Sequence, residues 1–487
     1  MVVFRGVPQV STYCKVHFRA LGWEAGFHGP FSMFKPWGRN NLIPILRGNA
    51  SIKMASNAPL HRTFPLDQPD VTRAWAFYDW ANSAFALVIT TAIFPAYYLA
   101  VTDDLISIIG LQVPNSALYA FTITIAYVLL VFASPLLSGM ADYGGRKRQF
   151  LLFFTLIGSL SCMGLFWFKG MDTLLLGTFL FLAGLIGFAG GLVFYNAFLP
   201  EIASPGQYDR VSAHGSSLGF LGSLLLLAGC LIMVQKPGWF GMASGTSLPI
   251  RLSFLVVGIW WISFALWALS RLPEITRPLP LRSAMANGFK AFSETWKDSR
   301  KYPQLYRFLF SFFTYSAGVQ TVLYMASTFA EKELGFQTSE LIMLILAIQL
   351  LGIVGAYFAA RASEKWGNKP ALLVILIIWT LLCLSAYLTH QKGYFYLLAA
   401  GVGFVMGAVQ SLSRSTFAKL IPDNTNRHTS YFSLYDMLEK MAIIGGTFLF
   451  GALNQLTGSM RSSILFLGLL FLLGLFQFSR IRMPHAR

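Results

Sequence analysis

Charge is scarce in this sequence. Asp, Glu, Lys and Arg make up 12% of its 487 residues, about half the share of a soluble domain, while 55% are hydrophobic. That balance excludes an ordinary soluble protein. Acid is the scarcer sign, with 20 Asp and Glu against 37 Lys and Arg and a net charge of +17. Cysteine is almost absent. Of Cys14, Cys162, Cys230 and Cys383, the last three stand singly inside apolar runs, without ligand-like spacing to one another or to histidine. They read as small packing residues, not as a disulfide framework or a metal site. Also missing are a glycine loop followed by Lys-Ser/Thr, a metal-spaced His/Cys/carboxylate cluster and a nucleophile elbow. These absences argue against ATP-driven pumping by this chain alone, and leave no enzyme activity, cofactor or metal to expect.

What the chain has instead is a series of apolar runs, each near the ~20 residues that cross a bilayer, and 43 glycines, which suit close helix packing in lipid. Hydropathy predicts about twelve spans, at 77–100, 116–139, 149–168, 173–197, 213–235, 252–271, 306–328, 341–362, 370–389, 394–417, 432–453 and 461–480. The fold class is therefore all-α integral membrane, with six helices on each side of a central loop. The loops on one side hold Arg146, Lys147, Arg148, Arg210, Arg361, Lys365, Lys369, Lys419, Arg427, Arg480, Arg482 and the basic central loop. Those opposite hold mainly Lys169, Lys236, Arg251, Lys332, Lys392 and Arg461, and the first holds only Asp103 and Asp104. The basic side is expected to be cytoplasmic, with both termini inside. The positive charge then reflects orientation and anionic headgroups rather than nucleic-acid binding.

The chain also repeats itself. Ser134 to Arg148 forms a short polar turn between two apolar runs. Its skeleton is a small residue (Ser138), an acid (Asp142), Gly145, Arg146, Lys147 and Arg148. It returns as Ala360, Glu364 with Lys365, Gly367 and Lys369, an offset of 364 − 142 = 222 residues. Phe198-Leu199-Pro200-Glu201 returns as Leu420-Ile421-Pro422-Asp423 at the same offset, 422 − 200 = 222. Two loops repeating at one offset imply a duplicated helix bundle with its site between the halves. The expected organisation is a basic N-terminal segment over 1–72, a first half over 73–271, a linker over 272–304 and a second half over 305–487. The N-terminal segment is expected to be a disordered cytoplasmic tail, or a start upstream of a working protein that begins near Met54. In the linker, Met285, Phe289, Phe292 and Trp296 recur at helical spacing beside Lys290, Lys297, Arg300 and Lys301. That predicts an amphipathic helix on the cytoplasmic leaflet.

Within the spans, polar residues are the candidates for chemistry. Asp79 and Asn82 share one helix face, and an acid about a turn inside the membrane is a functional candidate by default. It either binds a coupling proton or pairs with a base such as Arg73. Asn82 is deeper and better placed for substrate. Asn196, Gln320, Gln349 and Gln410 offer donors and acceptors that suit a zwitterionic solute, though such amides also bond helices together. Arg414 can attract a carboxylate, close a salt bridge or snorkel to the headgroups. Asp436, Glu439 and Lys440 read as cytoplasmic-end structure. Asp142 and Glu364 sit where a helix leaves the membrane. Pairing with bases or with a neighbouring helix N-terminus there would gate the cytoplasmic side.

The paired loops resemble the signature of the major facilitator superfamily, with Ser138 in place of the usual glycine and Tyr143 in place of the usual base. Tyr78-Asp79-Trp80-Ala81-Asn82-Ser83-Ala84-Phe85, Asn196-Ala197-Phe198-Leu199-Pro200-Glu201-Ile202 and Gln410-Ser411-Leu412-Ser413-Arg414-Ser415 resemble the vacuole effluxer family more specifically. That family includes fungal autophagy-related vacuolar amino-acid exporters and bacterial relatives of unassigned substrate. The resemblance runs over about 75–485. It implies the major facilitator fold and amino-acid efflux by alternating access, with a small-molecule substrate, protons as a plausible coupling ion and a monomer in membrane lipid. For Arg414 it favours a structural or gating pair. It also implies a cell membrane, or a vacuolar membrane in a eukaryote. The alternatives are a transporter-fold receptor or scaffold, and a transporter of a sugar, peptide or drug.

Overall fold

The computed structural model describes residues 65–483 except 109–110, 244, 275–289, 291, 423–424 and 458. Most of the N-terminal segment, and Met285 and Phe289 of the expected linker helix, lie outside the described residues.

Twelve long helices follow one another: α1 (Pro69–Val101), α2 (Asn115–Gly144), α3 (Lys147–Gly164), α4 (Leu174–Ile202), α5 (Tyr208–Gln235), α6 (Leu248–Leu269), α7 (Pro303–Leu334), α8 (Thr338–Trp366), α9 (Asn368–Leu388), α10 (Lys392–Leu420), α11 (His428–Thr457) and α12 (Met460–Ser479). Several extend past the expected spans, because hydropathy registers only the apolar stretch while the helix continues through polar ends. α1 thus begins eight residues before its expected start at 77. Ten of the twelve are apolar enough to cross a membrane by composition alone. The other two, α7 and α11, are long enough at 32 and 30 residues, about 45 Å or more. They fall short in hydropathy because they carry the polar faces described below.

α1 is not uniform. Phe85–Ile93 is wound as a π-helix, and Thr91 Oγ1 donates back to the Ala86 carbonyl five residues earlier (2.9 Å). Pro95 follows directly. A proline has no N–H and crowds the carbonyl four residues before it, so widened turns upstream of it relieve the clash. A hairpin that hydropathy does not reveal joins α1 to α2. In it β1 (Leu105–Ile108) runs antiparallel to β2 (Leu111–Pro114).

Close packing depends on glycine where helices cross. α8 and α10 meet at Gly352, Gly355 and Gly407, and a Cβ on Gly355 or Gly407 would collide with a backbone carbonyl of the facing helix. Small residues at such crossings are how helices approach in lipid. The halves join where α2 packs on α11 and α5 packs on α8 and α10.

The linker makes contacts that the sequence does not reveal. Residues 292–299 are helical, but Phe292 and Trp296 pack against the bundle. On α11's side, Arg427 bonds Glu294 (2.8 Å) and Asp298 (3.4 Å). These two acids, one turn apart, face a base on the bundle. The described part of the linker is therefore docked on the bundle.

Candidate substrate-binding site

Four helices from each half, α1, α2, α4, α5 and α7, α8, α10, α11, surround a central cavity of about 300 Å³. The helical period sets its lining. On α1, Asp79, Ser83, Ala86 and Leu87 fall on one face, and on α11 Asp436, Glu439, Lys440 and Ile443 do the same. Of the polar residues singled out in the sequence, Asp79, Asn196, Gln320, Gln349, Gln410 and Arg414 all line this space. Asn82 does not line it. It is fully buried, and its amide O and N make no hydrogen bond among the described residues.

Asp79 and Arg414 face each other across the seam between the halves, Oδ2 to Nη1 at 3.9 Å. Asp79 also accepts a 2.6 Å hydrogen bond from Ser83. Its base is thus Arg414 from the other half, and not Arg73. The Arg414 guanidinium lies over the rings of Trp75 (5.6 Å) and Tyr195 (5.4 Å), which stack on each other at 4.4 Å. The Trp75 indole N–H holds the pair by donating to the Tyr195 carbonyl (2.8 Å). At 3.9 Å the carboxylate is beyond hydrogen-bond reach, and Nη1 makes no hydrogen bond. A buried guanidinium N–H left in this way is a ready donor for an incoming anion.

The cluster on α11 requires a correction. Asp436, Glu439 and Lys440 read as end structure, yet they line the cavity. Asp436 and Lys440 form the expected i, i+4 ion pair, and both are buried. Among the described residues Glu439 has no cation within ion-pair distance, and it accepts from the Gln320 amide at 2.8 Å. The signal was present in the sequence. Three charges on one stripe of a helix with no other Asp, Glu, Lys or Arg belong on an interior face. The cavity therefore holds three carboxylates (Asp79, Asp436, Glu439) and two bases (Arg414, Lys440). Tyrosines complete the wall: Tyr127 and Tyr324 hydroxyls meet across the halves at 3.2 Å, and Tyr315 bonds Ser413 at 2.8 Å.

The other interhalf contacts gather at the basic end. Ser138 is fully buried, its hydroxyl donating to the Pro135 carbonyl (3.1 Å). Gly145 closes α2 at φ 65°, a conformation glycine takes without strain. That places Asp142 against the start of α11, where it accepts from the backbone N–H of Thr429 (3.0 Å) and Ser430 (2.7 Å) and from the Ser430 hydroxyl (2.7 Å). Lys147 pairs with Glu201 at 2.5 Å and bonds the Ala197 carbonyl at 3.3 Å. Arg148 donates to the Leu272 carbonyl at 3.5 Å, and Arg146 is the residue that precedes α3.

The second loop keeps the spacing but not the contact. Glu364 and Lys365 are exposed, and Gly367 turns the chain at φ 83°. The contact from this side runs through the next residue, Asn368, whose amide donates to Asp209 at the start of α5 (2.7 Å). Lys419 binds both Asp209 (2.5 Å) and Asn368 (2.7 Å). Ser212 adds a 2.8 Å bond to the Ser411 carbonyl. Lys369 points elsewhere, into a recess with Arg307 and Arg480. The sequence did not single out Asp209 or Asn368. The duplication contained the clue, since the helix facing the second loop must be the counterpart of the one facing the first.

Two six-helix halves around one charged cavity define a transporter of the major facilitator superfamily, not an enzyme. Solved structures agree on the fold. The chain superposes on the transporter FucP in its outward conformation with a TM-score of 0.65, at 13% identity over 85% of this chain and 99% of that one. It superposes on the human organic anion transporter MFSD10 with a TM-score of 0.64, at 18% identity over 84% of this chain and 100% of that one. Within the superfamily the chain belongs to the vacuole effluxer family, since residues 67–487 match the family described as "Vacuole effluxer Atg22 like". It is 31% identical to the uncharacterized MFS-type transporter YxiO of Bacillus subtilis, over 82% of this chain and 92% of that protein. It is 25% identical to autophagy-related protein 22 of Saccharomyces cerevisiae, over 74% of this chain and 76% of that one.

Proposed function

We propose that the protein exports a small zwitterionic solute, an amino acid above all, by alternating exposure of this cavity, and that its basic end faces the cytoplasm. The observation that carries the reading is the charge layout. Among the described residues, Arg414 offers an N–H without a hydrogen bond, and Glu439 is a carboxylate without an ion pair. A carboxylate on the solute satisfies the first and an ammonium satisfies the second. A neutral sugar offers hydroxyls to both groups but a counter-charge to neither. The cavity volume of about 300 Å³ lies at the small end of small-molecule sites, which suits a solute of amino-acid size. Family membership among effluxers supports export, and the distribution of basic loops supports the orientation.

Three carboxylates against two bases leave one negative charge over when all are ionised. Held within the membrane-spanning bundle, that excess calls for a cation. A proton on Glu439 supplies it when the cavity is empty. A zwitterion brings no net charge, so the competition is local: its ammonium takes the place of that proton at Glu439, and proton movement couples to export. Alternation then requires the basic-end contacts of Asp142 and Asp209 to break as the opposite end closes.

Counterflow in proteoliposomes loaded with amino-acid mixtures tests the reading. Saturable exchange of one group of amino acids, lost in Arg414→Gln, is expected. If no amino acid exchanges while the protein keeps its near-UV dichroism, the amino-acid reading fails.

A further inference from the structure

The basic end of the second half carries a recess that the cavity does not use. It lies where α7, α9 and α12 end together, and is lined by Gln304, Arg307, Lys369, Ser479, Arg480 and Arg482. Four of these six residues are cations, and no acid lines the recess among the described residues. The contrast with the first half's loop is direct. There Lys147 and Arg148 share a hollow with Asp142, Glu201 and Glu274, and Lys147 is paired. Among the described residues, none of Arg307, Lys369, Arg480 and Arg482 has an ion pair. Gln304 is engaged from the other side, accepting from the Arg482 backbone N–H at 2.8 Å, which holds the chain after α12 against α7. The Arg480 guanidinium lies 4.0 Å from the Phe476 ring centre, so its stem runs along the helix surface.

Below the cations the surface is apolar and exposed. Phe310 lies three residues from Arg307 on α7 and Phe476 four residues from Arg480 on α12, hence on the same faces. Both are more than half exposed, and Leu472 and Leu473 continue the α12 side inward. A cluster of unpaired bases at a helix end above an apolar surface has the layout of a phospholipid, with the charged group at the interface and acyl chains along the helices. Basic pockets between transmembrane helices hold anionic headgroups in this way.

We infer that this recess is a binding site for an anionic phospholipid, its phosphate held by Arg307, Lys369, Arg480 and Arg482 and its acyl chains laid over Phe310 and Phe476. Guanidinium groups suit it because their forked N–H donors match phosphate oxygens. The site is separate from the transport cavity, so it stands or falls independently of what the protein carries.

The test is lipid retention by the full chain. Purified protein is equilibrated in detergent with equal amounts of phosphatidylglycerol and phosphatidylcholine, and bound lipid is read by native mass spectrometry. Phosphatidylglycerol adducts are expected to predominate and to fall about tenfold in Arg307→Gln/Arg480→Gln, the equivalent of about 1.4 kcal/mol. Arg210→Gln/Arg361→Gln, which removes two charges from the same end outside the recess, is expected to retain them. Equal retention of the two lipids overturns the inference, as does an equal loss in both double variants, which would reduce it to net charge. Displacement of the adduct by millimolar inorganic phosphate also overturns it, because the recess would then hold a soluble anion and not a lipid.

Discussion

Asp142 of α2 caps a helix that belongs to the other half: its Oδ2 accepts both the backbone N–H and the hydroxyl of Ser430, each at 2.7 Å. The first turn of a helix leaves N–H groups without internal partners, and a carboxylate there is favoured by the helix dipole as well. Because donor and acceptor lie in different halves, this cap exists only while the halves are together at the basic end. Asp142→Ala should cost that state about 1–2 kcal/mol, or roughly 5–30-fold in the ratio of open to closed ends. Ser411, buried between α5 and α10 at the same end, can report it. In a background without native cysteines, Ser411→Cys should react with a maleimide faster by that factor once Asp142 is removed. An unchanged rate would show that the cap does not hold the end shut.

The second interhalf contact is an ion pair, with Asp209 buried and Lys419 one-fifth exposed. Removing one partner strands the other charge, while removing both does not. Asp209→Asn and Lys419→Gln should each lower the melting temperature in detergent, and the double variant should recover part of the loss. The expected coupling is about 0.5–3 kcal/mol. Strict additivity of the two single effects would mean that Asn368 alone carries the contact.

Gly355 and Gly407 sit where α8 and α10 touch backbone to backbone. A methyl group at either meets a facing carbonyl, whereas Gly393, on the same α10, has open space around it. Gly355→Ala should therefore destabilise the protein by about 1–3 kcal/mol through overpacking, read as a lower melting temperature. Gly393→Ala should leave it unchanged or raise it slightly, because alanine is the better helix former. Equal effects at the two positions would refute the close crossing.

The architecture was legible because each span announces itself by hydropathy, and because two loops repeat at a 222-residue offset. The exceptions are instructive. α7 and α11 stand out poorly by composition since the face that lines the cavity must be polar, so the helices nearest the site resemble membrane spans least. Placing Asp436, Glu439 and Lys440 at a helix end gave weight to the start of the apolar run, when their common stripe was the better guide. The move from Glu364 to Asn368 was not readable from spacing, because which residue of a turn reaches the neighbouring helix depends on the φ of Gly367. The partner of Asp79 was not readable either. Arg414 lies 335 residues away in the sequence (414 − 79 = 335), and only the meeting of α1 and α10 across the seam brings the two together.

Glu439 and Asp79 are both cavity carboxylates, but they differ in what depends on them. Glu439 faces an amide, so Glu439→Gln keeps the shape and an acceptor for Gln320 while removing the group that takes up a proton. Solute exchange without a gradient should weaken, because the solute ammonium loses its carboxylate, but should recover at raised solute concentration, and stimulation of transport by a pH gradient should disappear. Asp79 faces Arg414, so Asp79→Asn strips that guanidinium of its counter-charge. Breaking a buried ion pair by removing one partner costs about 3–5 kcal/mol, hence exchange itself should fall tenfold or more, with or without the gradient. Transport in proteoliposomes, measured with each variant in both conditions, separates the two. If Glu439→Gln still responds to the gradient while Asp79→Asn loses only that response, the coupling proton belongs to Asp79, and Glu439 is left as a contact for the solute ammonium.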